Sequence, residues 1–245
     1  MRRFAVVSVV VSFLMVFAAP SARAVNSVLN FKASISPAKA GTKSKPASVG
    51  VNLRPYYDTL APDADAPFAW KTVVLSLPKE FVFNGKYFPS CPAAKVRTAA
   101  GRASCKSAEI GKVNAKGFAL GLVEPLQVKL YNRPGGTGVV FYLQGDTPVI
   151  IDHVVEGILK KTSGAFGWTM TFSIPDDLQQ PAPGAVATPL DFDTHITART
   201  IKKGKKKIPF VGLTGCPTGT LNFGFDVSLT DGTQHNLRPT ASCSK

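Results

Sequence analysis

Apolar and polar residues alternate with a period of two through most of this chain, and Gly, Pro, Asn and Asp break the alternation at short intervals. Successive side chains of a strand point to opposite faces, so this pattern specifies half-buried strands joined by turns and leaves no long helical stripe. The first strands are expected at Val28 to Ser36, Ser48 to Arg54, Trp70 to Leu77 and Glu80 to Phe83, with a turn at Asn84-Gly85. Further strands are expected at Ala108 to Ala115, Phe118 to Val123, Leu126 to Tyr131, Val139 to Gln144, Pro148 to Lys160 and Trp168 to Ile174. A Pro/Ala-rich loop from Pro175 to Pro189 precedes a long strand, Leu190 to Lys202. A final hairpin pairs Thr220 to Leu229 with Gln234 to Ser242 across Thr230-Asp231-Gly232-Thr233. The expectation is an all-β class, as a single antiparallel β-sandwich of immunoglobulin-like or jelly-roll-like kind, with Pro181 to Pro189 as the one candidate domain boundary.

The first residues bear on compartment. Arg2 and Arg3 precede an uncharged apolar run from Phe4 to Ala19, and Ala22-Arg23-Ala24 offers the small residues that signal peptidase needs. Residues 1–24 therefore read as a signal peptide, with the mature domain spanning 25–245. The apolar run is shorter than the roughly 20 residues a spanning helix requires. No transmembrane segment is expected in the mature chain, and the expected location is secreted or extracellular, with association to the cell wall.

Four cysteines, Cys91, Cys105, Cys216 and Cys243, fit two disulfides in an exported protein. Three pairings exist; Cys91 with Cys105 and Cys216 with Cys243 close the shortest loops. The basic stretch between Cys91 and Cys105 reads as a stapled surface loop. No C-x-x-C spacing or paired His suggests zinc, and no metal or cofactor is expected.

The cysteine-containing segments, Phe83-Asn84-Gly85, Phe88-Pro89-Ser90-Cys91, Ser104-Cys105-Lys106-Ser107 and Cys216-Pro217-Thr218-Gly219, resemble a widespread family of secreted, mainly actinobacterial proteins without an assigned activity. Glu156-Gly157-Ile158-Leu159, Ser173-Ile174-Pro175 and the terminal Cys243 extend the likeness over most of the mature chain. The resemblance implies an exported β-sandwich with the same cysteine pairing and nothing catalytic. The chain departs from the family pattern at Lys106, where Pro is expected.

Net charge is +14, and removing Arg2, Arg3 and Arg23 leaves +11. Such a balance favours anionic partners. Its densest feature is Lys202, Lys203, Lys205, Lys206 and Lys207 around Gly204, read as a positive turn between two strands and as the candidate polyanion-binding element. The expected partner is an anionic envelope polymer or an envelope protein. Nucleic acid is not expected, because no aromatic residues interleave with the lysines. An extracellular hydrolase is the alternative, and Asp191, Asp193 and His195, alternating onto one strand face, are the residues to test for it. A structural surface protein is the third class. No G-x-S-x-G elbow occurs, and no catalytic residues are assigned.

Overall fold

The computed structural model describes residues 28–58 and 68–245; the expected signal peptide lies outside them. The chain opens with β1 (Leu29–Ser36), the two-residue β2 (Ala47–Ser48) and β3 (Gly50–Tyr57). Next come β4 (Trp70–Leu77) and β5 (Phe81–Phe83), then the short helices α1 (Ala93–Val96) and α2 (Ala99–Ser104). A meander follows: β6 (Glu109–Ala119), β7 (Leu122–Asn132), β8 (Gly138–Gly145), β9 (Ile151–Lys161) and β10 (Trp168–Ser173). After α3 (Asp176–Gln179) come β11 (Thr188–Ile196), β12 (Thr200–Lys203), β13 (Lys206–Pro209) and β14 (Val211–Leu213). The last elements are β15 (Thr220–Asn222), β16 (Gly224–Leu229), β17 (Gln234–Leu237) and β18 (Thr240–Ser242).

Eleven of these strands form one antiparallel sheet in the order β1-β3-β11-β6-β7-β8-β9-β10-β4-β16-β17. The sheet curls until its edges approach, with β1 lying against β17 and β18. Its two halves therefore face each other across one core, a nearly closed barrel with the layering of a sandwich. The all-β antiparallel class and both disulfides, Cys91–Cys105 and Cys216–Cys243, are observed.

Alternation sets the inner face. Val51 and Leu53 of β3 are buried, while Asn52 between them and Arg54 after them point outward. β8 breaks this rule: Val139, Phe141 and Leu143 face the lumen, yet Val140 and Tyr142 on its outer side are also buried. The cause is the Cys91–Cys105 segment, which folds back over the meander and buries Tyr131, Val140, Tyr142 and Val154 against Cys91, Val96, Cys105 and Ala108. This corrects the expectation of a plain surface loop. Asn132 pins the segment, donating from Nδ2 to the carbonyls of Gly85 and Pro89, each at 2.9 Å. The Arg102 guanidinium stacks 3.8 Å above the Tyr142 ring.

The strand expected at Ser48 to Arg54 is split between β2 and β3, which belong to different sheets, and three further boundaries depart from expectation for local reasons. The strand expected at Phe118 to Val123 is instead a tight hairpin, because Leu120 and Gly121 both take positive φ, 51° and 78°. The strand expected from Leu190 to Lys202 ends at Ile196, and residues 197–199 cross to a separate hairpin. The terminal hairpin is interrupted at Phe223 and at Arg238-Pro239, where proline cannot donate to a ladder.

Tyr131 carries a pH consequence. Its ring is fully buried, its hydroxyl has no hydrogen-bond partner among the described residues, and burial pushes the phenol up to about 12. An unfolded tyrosine ionises near 10, so the stabilising difference is complete below that pH and is lost as pH rises toward about 12. Stability is expected to fall by about 2 kcal/mol over this window from Tyr131 alone. Urea unfolding at pH 8 and 11.5, run beside Tyr131→Phe, checks this: the variant should lose less, and an equal loss would place the sensitivity elsewhere.

Candidate polyanion-binding end

The antiparallel order sorts every connection of the large sheet to one of two ends. Those leaving β1, β4, β7, β9 and β11, together with the segment after β17, issue from one end and carry eighteen Lys and Arg against a single acid, Glu80. The described connections at the opposite end contain Asp58, Asp146, Asp176, Asp177 and Asp231 and no Lys or Arg. The molecule is thus strongly polarised along the barrel axis.

The lysine run forms the expected hairpin. β12 pairs with β13, setting Lys202 opposite Lys207 and Lys203 opposite Lys206, and Gly204 turns the chain with a φ of 60°. Like charges directly opposite on a ladder repel. Among the described residues none of the five lysines has a carboxylate partner. The hairpin is tied down by neutral contacts at its base: the Arg199 carbonyl accepts from Phe210 N at 2.8 Å and from Ser48 Oγ at 3.1 Å, and the Arg199 side chain donates to the Glu109 carbonyl.

Tyr87, which the sequence reading left out of the site, connects the hairpin to the turn after β5. The Lys203 ammonium lies 4.7 Å from its ring centroid and that of Lys86 5.1 Å. One half-exposed ring therefore gathers cations from two connections far apart in sequence. The sequence signal was Lys86-Tyr87 beside a Gly turn, which carries no meaning until the fold brings Lys203 to it. Elsewhere at this end two arginines are neutralised, Arg133 by Glu156 at 2.9 Å and Arg238 by Asp226 at 2.6 Å.

Asp191, Asp193 and His195 do share the outer face of β11 but do not form a metal or catalytic cluster. Arg54 holds Asp191 with two bonds of 2.8 and 2.6 Å, and that pairing raises the Arg54 pKa further. Register sets Lys116 beside Asp191 and Lys112 beside His195, so cations already surround the acids. The Asp193 Oδ1 is buried without a hydrogen-bond partner, as is the Oδ1 of neighbouring Asn52. Among the described residues no three His, Cys, Asp or Glu side chains converge on a metal-sized site. Asp152 and His153 point to opposite faces; His153 Nδ1 lies 3.7 Å from Asp177 of α3.

No helix of the described residues is long and apolar enough to cross a membrane. A scan of protein-family models finds none that matches the chain, and a search of curated proteins finds no match either.

Proposed function

We propose that the protein is exported, associates with the cell envelope and binds an anionic envelope polymer, or an envelope protein with an acidic surface, through the basic end of its barrel, without catalysing a reaction. The observation that carries this reading is the unpaired lysine hairpin on an end where cations outnumber acids so heavily. Repulsion between cross-strand lysines is retained without internal compensation, which suits an external counter-charge. The two disulfides and the N-terminal segment pattern support export. The likeness to an exported actinobacterial family supports it further.

The test is retention of purified protein on isolated cell envelope and on a heparin column across a salt gradient, beside a variant with Lys202, Lys203, Lys205, Lys206 and Lys207 changed to Gln. Binding to both is expected to weaken steeply with salt, since exposed charges are screened within about 8 Å at physiological ionic strength. The variant is expected to bind at least tenfold more weakly at 0.15 M salt; this is an order-of-magnitude figure for losing five exposed cations, about 1 kcal/mol each at an anionic surface before screening. Co-elution of variant and native protein would remove the hairpin as the binding element.

A further inference from the structure

The lumen is incompletely packed. An apolar cavity of about 160 Å³ runs between the ends of the barrel, with Leu53, Leu75, Leu143, Val155, Met170 and Phe172 on its walls. Native interiors seldom keep voids larger than one water, because unfilled space forfeits dispersion contacts on every wall. Water fills such a space poorly, since it needs two to four polar partners. The side chains lining the cavity are apolar except for Glu124, Thr188 and Thr194.

The two ends of the cavity differ. At the basic end it is stoppered by Phe81 and Phe83: Phe81 packs edge-on against Phe223, Phe83 against Trp168, and the Trp168 indole donates to the Phe81 carbonyl at 2.9 Å. At the opposite end the lining is Phe118, Ala119, Glu124, Leu178, Ala187 and Thr188, around the β6–β7 turn and the α3 connection. There the surface is apolar too. Leu120, Leu122 and Val123 are more than half exposed, Ile150 is 80% exposed and Val186 41%; Leu120, Ile150 and Val186 lie in three connections that the sheet order brings to that end, and Leu122 and Val123 begin β7 beside them. Leu120 holds a left-handed backbone that Asn or Gly would adopt at lower cost, so an exposed leucine is kept at the turn against local preference.

Glu124 sets the polarity of the opening. It is 3% exposed, its Oε1 accepts from Thr147 N at 2.9 Å, and a Cβ at Gly145 would fall 2.3 Å from that oxygen, so the glycine makes room for the carboxyl. The charged residues of the described connections around it are all Asp, with no Lys or Arg.

We propose that the lumen is a binding site for a small uncharged apolar molecule of about six carbons, which enters at the acidic, apolar-rimmed end and is rejected when it carries a carboxylate head. The size follows from comparison with an apolar cavity of roughly 150 Å³, which accepts benzene. The site is separate from the basic end and stands or falls without it.

Benzene, hexan-1-ol and hexanoate titrated at pH 7 into purified protein, followed by the Met170 methyl resonance, test the proposal. Benzene and hexan-1-ol are expected to shift that resonance saturably, with affinity rising about fourfold per methylene in shorter alcohols. Hexanoate is expected to bind at least tenfold more weakly and to gain most of that back in Glu124→Gln, which keeps an acceptor for Thr147. Ala119→Phe fills the space and should abolish the shifts; Ala187→Leu serves if that variant does not fold. A Met170 resonance unmoved by benzene, or shifts undiminished in a folded filled variant, would overturn the site. Equal binding of hexanoate and hexan-1-ol by the native protein would overturn its selectivity.

Discussion

Phe225→Ala is expected to lower the free energy of unfolding by about 4 kcal/mol. The reason lies in how the barrel closes. β1 and β17 are the two edges of the large sheet, and no ladder joins them to each other. Closure therefore rests on side chains reaching across the seam and on the backbone bonds of Ser244 to Ala38 and Ala40 beside it. Phe225 of β16 is 1% exposed, with its ring centroid 5.0 Å from Phe31 of β1 and 5.5 Å from Trp70 of β4. Removing a buried phenyl group costs about 3 to 5 kcal/mol in lost transfer energy and residual space, and each aromatic pair adds about 0.5 to 1.5 kcal/mol. The ring also borders the luminal cavity, so its loss enlarges an existing void that the surrounding strands have not collapsed to fill. Urea unfolding should show a lower midpoint, with amide exchange in β1 accelerated more than exchange in β7 or β8. A loss below about 2 kcal/mol, or uniform exchange, would mean that the seam is held mainly by β18.

Much of the sheet follows from alternation alone, because one buried face imposes the period of two. Trp70 to Leu77 was expected and observed with identical ends. The hairpin at Leu120-Gly121 was missed because leucine is an unusual residue for positive φ, and the apolar sequence on both sides gives no turn chemistry. The covering of β8 had a signal that went unread: Gly138 to Leu143 is continuously apolar, as expected of a strand buried on both faces. Nothing local said which segment would supply the cover.

The candidate site was half legible for the same reason. A run of lysines around a glycine announces a charged hairpin wherever it occurs. The sorting of nearly all loop cations to one end does not, since it depends on strand order, and β11 enters the sheet between β3 and β6, far from its neighbours in sequence. Tyr87 and the luminal opening at Glu124 are likewise products of register. Asp191, Asp193 and His195 were placed correctly on one face, yet the Arg54 that captures Asp191 comes from a strand 137 residues earlier in the chain.

Loss of the Cys216–Cys243 bridge, as Cys216→Ala with Cys243→Ala, is expected to cost about 3.5 kcal/mol by loop entropy, against about 3 kcal/mol for Cys91–Cys105. The difference in loop length is modest, with sequence separations of 27 and 14, but the two bridges hold different things. The Cys91–Cys105 segment is also anchored by Asn132 and by its own buried cluster on the outer face of the meander. The Cys216–Cys243 loop encloses β16 and β17 and thus the whole closing edge of the barrel. Its far end is bound to the start of the chain through Ser244, which donates to the Ala38 carbonyl at 2.9 Å and accepts from Ala40 N at 2.8 Å. Without the bridge, the three-residue β18 and the seam beside it rest on short ladders and the Phe225 contacts. Exchange at Ala40 and Ser244 should therefore quicken before the meander responds, and the Cys216–Cys243 variant should lower the thermal midpoint more than removal of Cys91 and Cys105. If the order of the two midpoints is reversed, the outer cover, and not the seam, is the weaker part of this barrel.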